Sequence, residues 1–274
     1  MVSAEDMKPL KHNYSKGVFL DIVSKNKNEW KRQVNFINSL EGVNHVEIWI
    51  EEDLTVSELK FLKSLLKKYK ILVHGPFIHV SLVSPHKSIR EITIKLYLRT
   101  LKIAQILGAE LVTFHCGTKT KFFPKEEAIT LLTQNLKRIH EHYDGKISFT
   151  IENLPPESVG GVQIHYPSSL NDLIYLKKLL PWLKFTVDLG HAFQGKENLY
   201  EISKFLKRYR NSILDIHLHD ATLGGRAHLS LGEGELKVNI FFQLLKEIRY
   251  TGYISLETIT RKDTQESWGK IRKL

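Results

Sequence analysis

The 274-residue sequence contains a single cysteine, Cys116, and no run of apolar residues long enough to span a membrane. One cysteine excludes an internal disulfide and a zinc finger built on cysteines, and it is typical of a reducing compartment. The N-terminal segment is polar and lacks the apolar centre of a secretory signal peptide. We therefore expect a cytoplasmic protein that does not enter a membrane.

Two glycine-rich nucleotide-binding patterns are also missing. No G-x-G-x-x-G follows the first apolar run, and Gly232 and Gly234 are not followed by the G-K-[ST] of a P-loop. Dedicated nucleotide binding is therefore not expected. The glycine-rich stretch around them, residues 224–236, contains His228 and is interpreted as a mobile loop.

Acidic residues are outnumbered by basic ones, 30 to 40, which gives a net charge of +10. This balance is compatible with a polyanionic partner such as DNA, or with a phosphorylated substrate. Most lysines, however, recur at helix-like spacing between apolar residues. Solvated outer helix faces are therefore the simpler interpretation of the charge.

Eight short apolar runs rich in β-forming residues alternate with longer amphipathic segments. The runs are almost continuously apolar, as in parallel strands covered by helices. They occupy residues 17–23, 45–50, 70–75, 110–115, 146–153, 184–189, 212–220 and 253–258. The helix-period segments between them occupy residues 29–40, 56–69, 87–107, 125–142, 168–180, 197–209 and 237–249.

This alternation predicts an α/β fold, with a single (β/α)8 TIM barrel forming one domain over residues 1–274. Residues 1–15 are expected to be a loose N-terminal segment. Gly108 directly follows the long third helical segment and is the expected C-cap of that helix. An open doubly wound sheet is the alternative fold, but it lacks support because the G-x-G-x-x-G motif is missing.

Six successive predicted strands, from the third to the eighth, each end in a residue that can bind a metal ion. In a TIM barrel the carboxyl ends of the strands form the active-site mouth, so these side chains would converge there. Three carboxylates at one mouth repel each other unless a cation neutralises them. Mixed imidazole and carboxylate ligands suit zinc, manganese, iron or cobalt. The six residues are His74, His115, Glu152, Asp188, His217 and Glu257.

Each of these residues alone has a simpler interpretation. His74 and His115 precede turns that contain glycine, and Glu257 could be an exposed strand end. The metal site is favoured because the simpler view needs six separate coincidences. On the seventh strand, His217 and His219 point to the same side, and spacing does not decide which of them is a ligand.

Several motifs together resemble the superfamily of xylose-isomerase-like TIM barrels. It contains sugar phosphate isomerases and epimerases, and the abasic-site nucleases of the endonuclease IV type, also called AP endonuclease family 2. The motifs lie in order between about residues 70 and 258, and they read VHGPF, LGAELVTFHCG, TIENLP, TVDLGHAF, IHLHDA, HLSLGEG and ISLET. The resemblance implies that the shared metal is bound by Glu152, Asp188, His217 and Glu257.

Further histidines match zinc ligands of the nuclease branch alone. The resemblance implies that His74 and His115, together with Glu152, bind another zinc ion. It also implies that His191 and His228 are two of the three ligands of a third zinc ion. The remaining ligand of the third zinc, an aspartate in the nuclease, falls at Arg226 here, which argues against a full trinuclear cluster.

The resemblance favours a divalent-metal-dependent isomerase or epimerase of a sugar or sugar phosphate. In such enzymes a metal-stabilised enediolate forms, and the residues matching Glu152 and Glu257 transfer the proton. The expected cofactor is one to three zinc or manganese ions. The expected substrate-binding residues are His191, Arg226, His219 and Phe77.

The alternative is a zinc-dependent endonuclease that hydrolyses DNA at abasic sites. There, two or three zinc ions activate a hydroxide, the basic surface tracks phosphates, and Phe77 and Ile78 wedge into the duplex. Plain packing at the barrel mouth is the favoured explanation of these two residues. The N-terminal run GVFLDIV also lacks the G-x-H-x-S expected of that nuclease. A third possibility is a lyase-type or non-catalytic metal-binding barrel.

Overall fold

The computed structural model describes residues 14–274, apart from 23–24, 144, 146, 156–157 and 160–161. The segment expected to be a loose N-terminus lies outside these residues up to position 13. The strands in the described part of the chain are β1 (Ser15–Ile22), β2 (His45–Ile50), β3 (Lys70–His74), β4 (Leu111–Phe114), β5 (Thr118–Thr120), β6 (Ser148–Glu152), β7 (Ser158–Val159), β8 (Gln163–His165), β9 (Lys184–Asp188), β10 (Ile213–Leu218) and β11 (Tyr253–Leu256).

Eight of these strands form a closed parallel barrel in the order β1-β2-β3-β4-β6-β9-β10-β11. Closure is direct, because β1 pairs in parallel with both β2 and β11. The predicted TIM barrel is therefore confirmed, and a doubly wound open sheet is excluded. Every predicted apolar run overlaps one barrel strand, and all but the first contain the strand completely.

Helices cover the outside of the barrel between successive strands. The long helix α3 shows why they pack there, since its buried residues Tyr97, Leu101 and Ala104 recur at helical spacing. Tyr97 stacks on Phe114 of β4, with ring centroids 4.1 Å apart. The described helices are α1 (Lys27–Ser39), α2 (Val56–Leu65), α3 (Lys87–Leu107), α4 (Lys125–His142), α5 (Leu170–Leu179), α6 (Leu189–Gln194), α7 (Leu199–Tyr209), α8 (Val238–Glu247) and α9 (Arg261–Ile271).

The end of α3 follows the prediction made for Gly108. This glycine has φ +73° and forms the left-handed C-cap, donating to the carbonyl oxygens of Ala104 and Gln105. Three features were not predicted: the short helix α6, the C-terminal helix α9, and a small antiparallel sheet in the order β5-β8-β7. None of the helices in the described residues is long and apolar enough to cross a membrane.

The barrel interior carries polar side chains below the mouth. Thr186 lies 2.9 Å from the Thr113 hydroxyl and 2.7 Å from the Thr150 hydroxyl, and all three residues are fully buried. A second polar group, containing Glu47 and Asp215, is equally buried. Polar atoms this deep are costly unless they are hydrogen-bonded to one another.

Glu197, between α6 and α7, gives a prediction about stability. Its Oε1 accepts from Leu170 N at 2.8 Å, its Oε2 is buried without a partner among the described residues, and burial raises the pKa of the carboxyl to about 7. The folded state therefore holds the proton more tightly than the unfolded chain, and stability falls as the pH rises from about 4.5 to 7.

Glu197→Gln removes this pH-dependent loss. Between pH 5 and pH 8 the free energy of unfolding of the variant should therefore rise by about 1–3 kcal/mol relative to that of the wild type. Urea unfolding at the two pH values measures the gain. Glu233→Gln, at an exposed position, is the matched control and should show no such difference. An equal free-energy gap between variant and wild type at both pH values would contradict the assignment.

Candidate functional site

The six strand-end residues lie at the carboxyl end of the barrel. Each is the last residue of its strand, the one just after it, or, for His217, the one before the last. Because the strands are parallel and adjacent, their side chains converge, and they form two groups whose ligand atoms lie within 4.8 Å of one another. The central group is Glu152, Asp188, His217 and Glu257, and the lateral group is His74, His115 and Glu152.

The central group has the free atoms that a metal ion needs. His217 Nδ1 and Glu257 Oε2 lie 3.2 Å apart, yet both are buried and make no directed hydrogen bond within the described part of the chain. Glu152 Oε2 lies 3.4 Å from the same His217 nitrogen. An imidazole nitrogen between two carboxylates is a donor set that suits a divalent transition metal, so these residues fit one.

The contact of His217 Nε2 shows which ring nitrogen is free to bind a metal ion. His217 Nε2 lies 3.2 Å from Glu47 Oε2, where a carboxylate can only accept, so Nε2 carries the hydrogen. Nδ1 is then unprotonated in the neutral ring and faces the central group. Glu47 was not identified from the sequence, although a carboxylate inside the apolar run HVEIWI was a usable signal.

The lateral group is arranged in the same way. His74 Nδ1 donates to the Gly75 carbonyl at 2.9 Å, which turns Nε2 toward His115 Nε2 at 3.2 Å and Glu152 Oε2 at 3.5 Å. His115 Nε2 lies 3.2 Å from the same carboxylate oxygen. Its backbone is held by the Tyr97 hydroxyl, which donates to the His115 carbonyl. Glu152 is therefore shared by both groups.

Electrostatics at the mouth follow from these contacts. Burial favours the neutral form of Glu152, but the charges of His217 and His115 outweigh it and hold the pKa of this carboxyl well below its usual range. Burial also opposes charge on His217, yet Glu152 and Glu47 raise the pKa of that imidazole well above its ordinary value. The carboxylates thus require positive charge nearby, which protons on imidazole or a bound cation can supply.

A third group, formed by His191, His219 and His228, also has ring nitrogens within 4.8 Å. His191 Nε2 and His228 Nε2 lie 3.3 Å apart. His219 differs because both of its nitrogens are in use: the backbone N–H of His228 donates to Nδ1 at 2.8 Å, and Nε2 lies 3.1 Å from Asp188 Oδ2. Since Nδ1 accepts, Nε2 carries the hydrogen and donates to Asp188.

The two histidines of the seventh barrel strand therefore have different roles. His217 presents a free nitrogen to the central group, whereas His219 is fully buried and orients Asp188. A direct contact between His219 and substrate stays a prediction. His191, the other histidine beside Asp188, has a pKa raised to about 9, because Asp188 and Glu152 outweigh its burial.

Asp188 is held at its backbone as well as its side chain. Asn153 Nδ2 donates to the Asp188 carbonyl at 2.8 Å, and Asp188 N donates to Asn153 Oδ1 at 2.9 Å. Asp188 Oδ1 caps helix α6 by accepting from His191 N at 2.6 Å. This cap explains the short helix, and the sequence Glu152-Asn153 was the only hint of the clamp.

The remaining predicted substrate-binding residues lie at the rim. Phe77 stacks on His115 with ring centroids 5.0 Å apart and on Trp49 at 4.8 Å. Glu51 Oε1 accepts from the backbone N–H groups of Phe77 and Ile78, which holds this loop in place. Arg226 is exposed and lies in the turn that Thr222 closes, outside the three groups.

A cavity of about 680 Å³ adjoins the mouth beside His115 and Phe77. It lies between the loop after β3 and the small antiparallel sheet, and the described residues that line it include no aspartate or glutamate. His165 of β8 lines it, and burial together with His115 and His191 lowers the pKa of this imidazole to about 4, which leaves it neutral. The cavity can therefore accept a hydroxylated or anionic molecule without charge repulsion from carboxylates.

Known proteins share this architecture. A family model described as xylose isomerase-like TIM barrel matches residues 34–274. An uncharacterised protein of Methanocaldococcus jannaschii is 28% identical over 223 residues, which are 79% of this chain and 82% of that protein. A probable endonuclease 4 of Aquifex aeolicus is 29% identical over 200 residues, 66% of this chain and 68% of that protein.

Solved structures give a similar picture of the fold. A D-tagatose 3-epimerase-like protein superposes with a TM-score of 0.79 at 23% identity, covering 94% of this chain and 96% of its own. A D-allulose 3-epimerase from a Methylomonas species superposes with a TM-score of 0.75 at 13% identity, and the match covers 96% of this chain and 98% of that one. At such identities the superpositions show the fold alone.

Proposed function

Because the chain belongs to the xylose isomerase-like TIM barrel family, we propose that it is a divalent-metal-dependent isomerase or epimerase of a sugar or sugar phosphate. The single observation that carries the proposal is the approach of Glu152 and Glu257 to His217 Nδ1, at 3.4 and 3.2 Å. Two carboxylates beside one ligand nitrogen can flank a substrate carbon that loses and regains a proton. The structural similarity to sugar epimerases is compatible with this use of the site.

The chain's own residues suit such a proton transfer. The imidazoles of His217 and His115 keep Glu152 ionised, so it can act as the base that removes the proton next to a carbonyl. Glu257 is a second carboxyl within reach, which can exchange a proton at another face of the same carbon. A divalent cation bound by the central group would polarise the carbonyl and stabilise the negative charge that develops beside it.

Access to the site also favours a small substrate. Of the six strand-end residues only Glu257 and His115 are partly exposed, at 24% and 14% of their side-chain surface. Phe77 offers an apolar face at this opening, and no carboxylate is among the described residues that line the adjoining cavity. We place the enzyme in the cytoplasm, in keeping with its one free, buried cysteine, Cys116, and we propose that residues 1–274 form one domain.

The second candidate is a metal-dependent endonuclease acting at abasic sites in DNA. It is favoured by the lateral group, which makes a second metal position beside the central one, and by the similarity to a probable endonuclease 4. A third position is not preformed, because both nitrogens of His219 are engaged. We therefore rank this activity below the sugar reaction.

One experiment separates the two candidates. Protein purified without chelator is expected to contain one or two transition-metal ions per chain by elemental analysis, in agreement with the central and lateral groups. It should catalyse deuterium exchange or epimerisation on at least one member of a ketose, aldose and sugar-phosphate panel. Asp188→Ala should lose both the metal and the activity.

The same preparations are then given a duplex containing an abasic site. Salt-sensitive incision by the wild type, lost in Asp188→Ala, together with no reaction on the sugar panel, would replace the sugar reaction by the endonuclease. Absence of any transition metal in the wild type would reject both candidates. Exposed Glu41→Gln serves as the control for handling and metal content.

A further inference from the structure

A continuous polar chain runs through the barrel interior behind the central group. It begins at Ser15 and His45, the first residues of β1 and β2, which lie at the end of the barrel opposite the mouth. It ends at His217 in the central group. The members between them are contributed by three further positions on the barrel strands: Ser255, Asp215 and Glu47.

The hydrogen bonds from Ser15 to Asp215 all point toward Asp215, and at the other end His217 donates to Glu47. Ser255 Oγ donates to Asp215 Oδ2 at 2.8 Å, so it accepts from His45 Nε2 at 3.0 Å. His45 Nδ1 is then free to accept from Ser15 Oγ at 2.8 Å. Burial lowers the pKa of His45 to about 3, so the ring is neutral and has the one donor and one acceptor that this arrangement requires.

The backbone leaves room for the chain. A Cβ at Gly17 would overlap the His45 ring and its carbonyl oxygen, so a larger residue would displace this histidine. Glu47, Asp215, Ser255 and His217 are all fully buried. Groups at this depth cost folding energy unless they are hydrogen-bonded, and hydrophobic packing would otherwise fill such a barrel.

We propose that Glu47, supported by Asp215 and Ser255, is the positioning residue of the metal site, because it holds His217 with its hydrogen on Nε2 and its Nδ1 toward the central group. Glu47 acts through His217 and lies behind it, 3.2 Å from Nε2. Asp215 Oδ2 lies 3.8 Å from the same nitrogen and is held by the Ser255 hydroxyl. The inference rests on the proposed metal site and adds to it the group that sets the ligand tautomer.

Partners of this kind raise the basicity of a metal-binding imidazole and fix its orientation, and their loss typically weakens metal affinity about 10–100-fold. Glu47→Gln keeps the size of the side chain but replaces an obligate acceptor by an amide that can also donate. The variant ring can therefore take the opposite tautomer, with hydrogen on Nδ1, which cannot bind a metal through that atom.

The test uses full-length apo protein labelled with 15N-histidine, with the His217 signals assigned by their loss in His217→Gln. Spectra are recorded over a pH series and compared at alkaline pH, where the His217 ring has lost its extra proton. There the wild type should show the Nε2–H tautomer, and Glu47→Gln should show a mixture or the Nδ1–H form. Competition with a chelator should give a loss of Zn²⁺ and Mn²⁺ affinity of about 10–100-fold. Thr150→Val, which removes an equally buried hydroxyl that does not touch His217, should change neither result.

An unchanged tautomer and unchanged affinity in Glu47→Gln would overturn the inference while leaving the metal site intact. A second tightly bound ion that is lost in Asp215→Asn would also overturn it, because Nε2 would then be a ligand itself. If Glu47→Gln does not fold, Ser255→Ala takes its place, with a smaller shift of the same sign. Wild-type protein that keeps the Nε2–H tautomer but binds no metal would instead refute the proposed function.

Discussion

Replacing Glu257 by glutamine is expected to lower the rate of deuterium exchange at the substrate carbon next to the carbonyl by about 10²–10⁴-fold. Glutamine has nearly the same shape as glutamate and can still offer an oxygen to a cation, but it cannot take up or return a proton. Glu257 Oε2 is buried without a directed hydrogen bond among the described residues, so no structural partner is lost with its charge. Proton NMR in deuterated water measures the exchange.

Metal content separates the chemical role of Glu257 from its role as a ligand. The assay is run with saturating Zn²⁺ or Mn²⁺, and the bound ion is counted in the same sample. Exposed Glu41→Gln is the control and should exchange at the wild-type rate. Retained exchange in metal-loaded Glu257→Gln would contradict the assignment of this residue as an acid or base.

Glu152→Gln should give an equally low exchange rate with a larger loss of metal. The reason is that Glu152 belongs to both the central and the lateral group, whereas Glu257 belongs to one. A comparison of the two variants therefore shows whether the lateral group holds an ion. Equal metal loss in both variants would indicate that only the central group is filled.

The positions of the strand-end residues followed from the sequence because parallel strands bring their carboxyl ends to one mouth. A side chain that ends a strand must lie there, whatever the loops do. His74, Glu152 and Asp188 are the last residues of their strands, as the apolar runs indicated. This part of the site depends on periodicity and barrel closure alone.

The choice between His217 and His219 did not follow from spacing; the family resemblance favoured His217. Both histidines share one face of β10, and their difference lies in what each ring nitrogen contacts. His217 meets Glu47, which is 170 positions away along the chain, and His219 meets the backbone N–H of His228 in a loop. Such contacts are set by barrel closure and loop conformation, for which one sequence carries no periodic signal.

The role of Arg226 in substrate binding stays a prediction. Its place in a motif makes it a candidate, and the turn closed by Thr222 leaves its side chain exposed, outside the three groups. Glu47, by contrast, could not be identified from any motif, because it is a single polar residue inside an apolar strand. A buried carboxylate within an apolar strand was the more useful signal, since such a group requires a nearby partner.

Replacing Gly190 by alanine is expected to lower the stability of the protein, because Gly190 packs directly against the His219 ring. A Cβ at this position would overlap the ring atoms of His219, which lies buried between Gly190 and Asp188. Gly190→Ala must therefore displace His219 or shift helix α6, and overpacking of this kind costs about 1–3 kcal/mol. Urea unfolding of the apo protein measures the loss of stability.

Gly269→Ala is the matched control, because this glycine lies inside helix α9 and an added Cβ would meet nothing within 4 Å. Alanine there should raise the free energy of unfolding by about 0.5–1 kcal/mol, through its better helix propensity. The two Gly→Ala changes should thus have opposite signs. A stability gain at position 190 would show that His219 is not held in the tight contact described for it.

The effect of Gly190→Ala on metal binding then tests whether His219 orients Asp188 or is itself a metal ligand. If His219 orients Asp188, its displacement releases one hydrogen bond from Oδ2 and should weaken the metal of the central group, with Glu257 and His217 still in place. If His219 were itself a ligand of a third ion, the variant would lose that ion at unchanged affinity of the central one. Chelator competition with ion counting distinguishes these outcomes, and only the first agrees with a backbone N–H that already occupies His219 Nδ1.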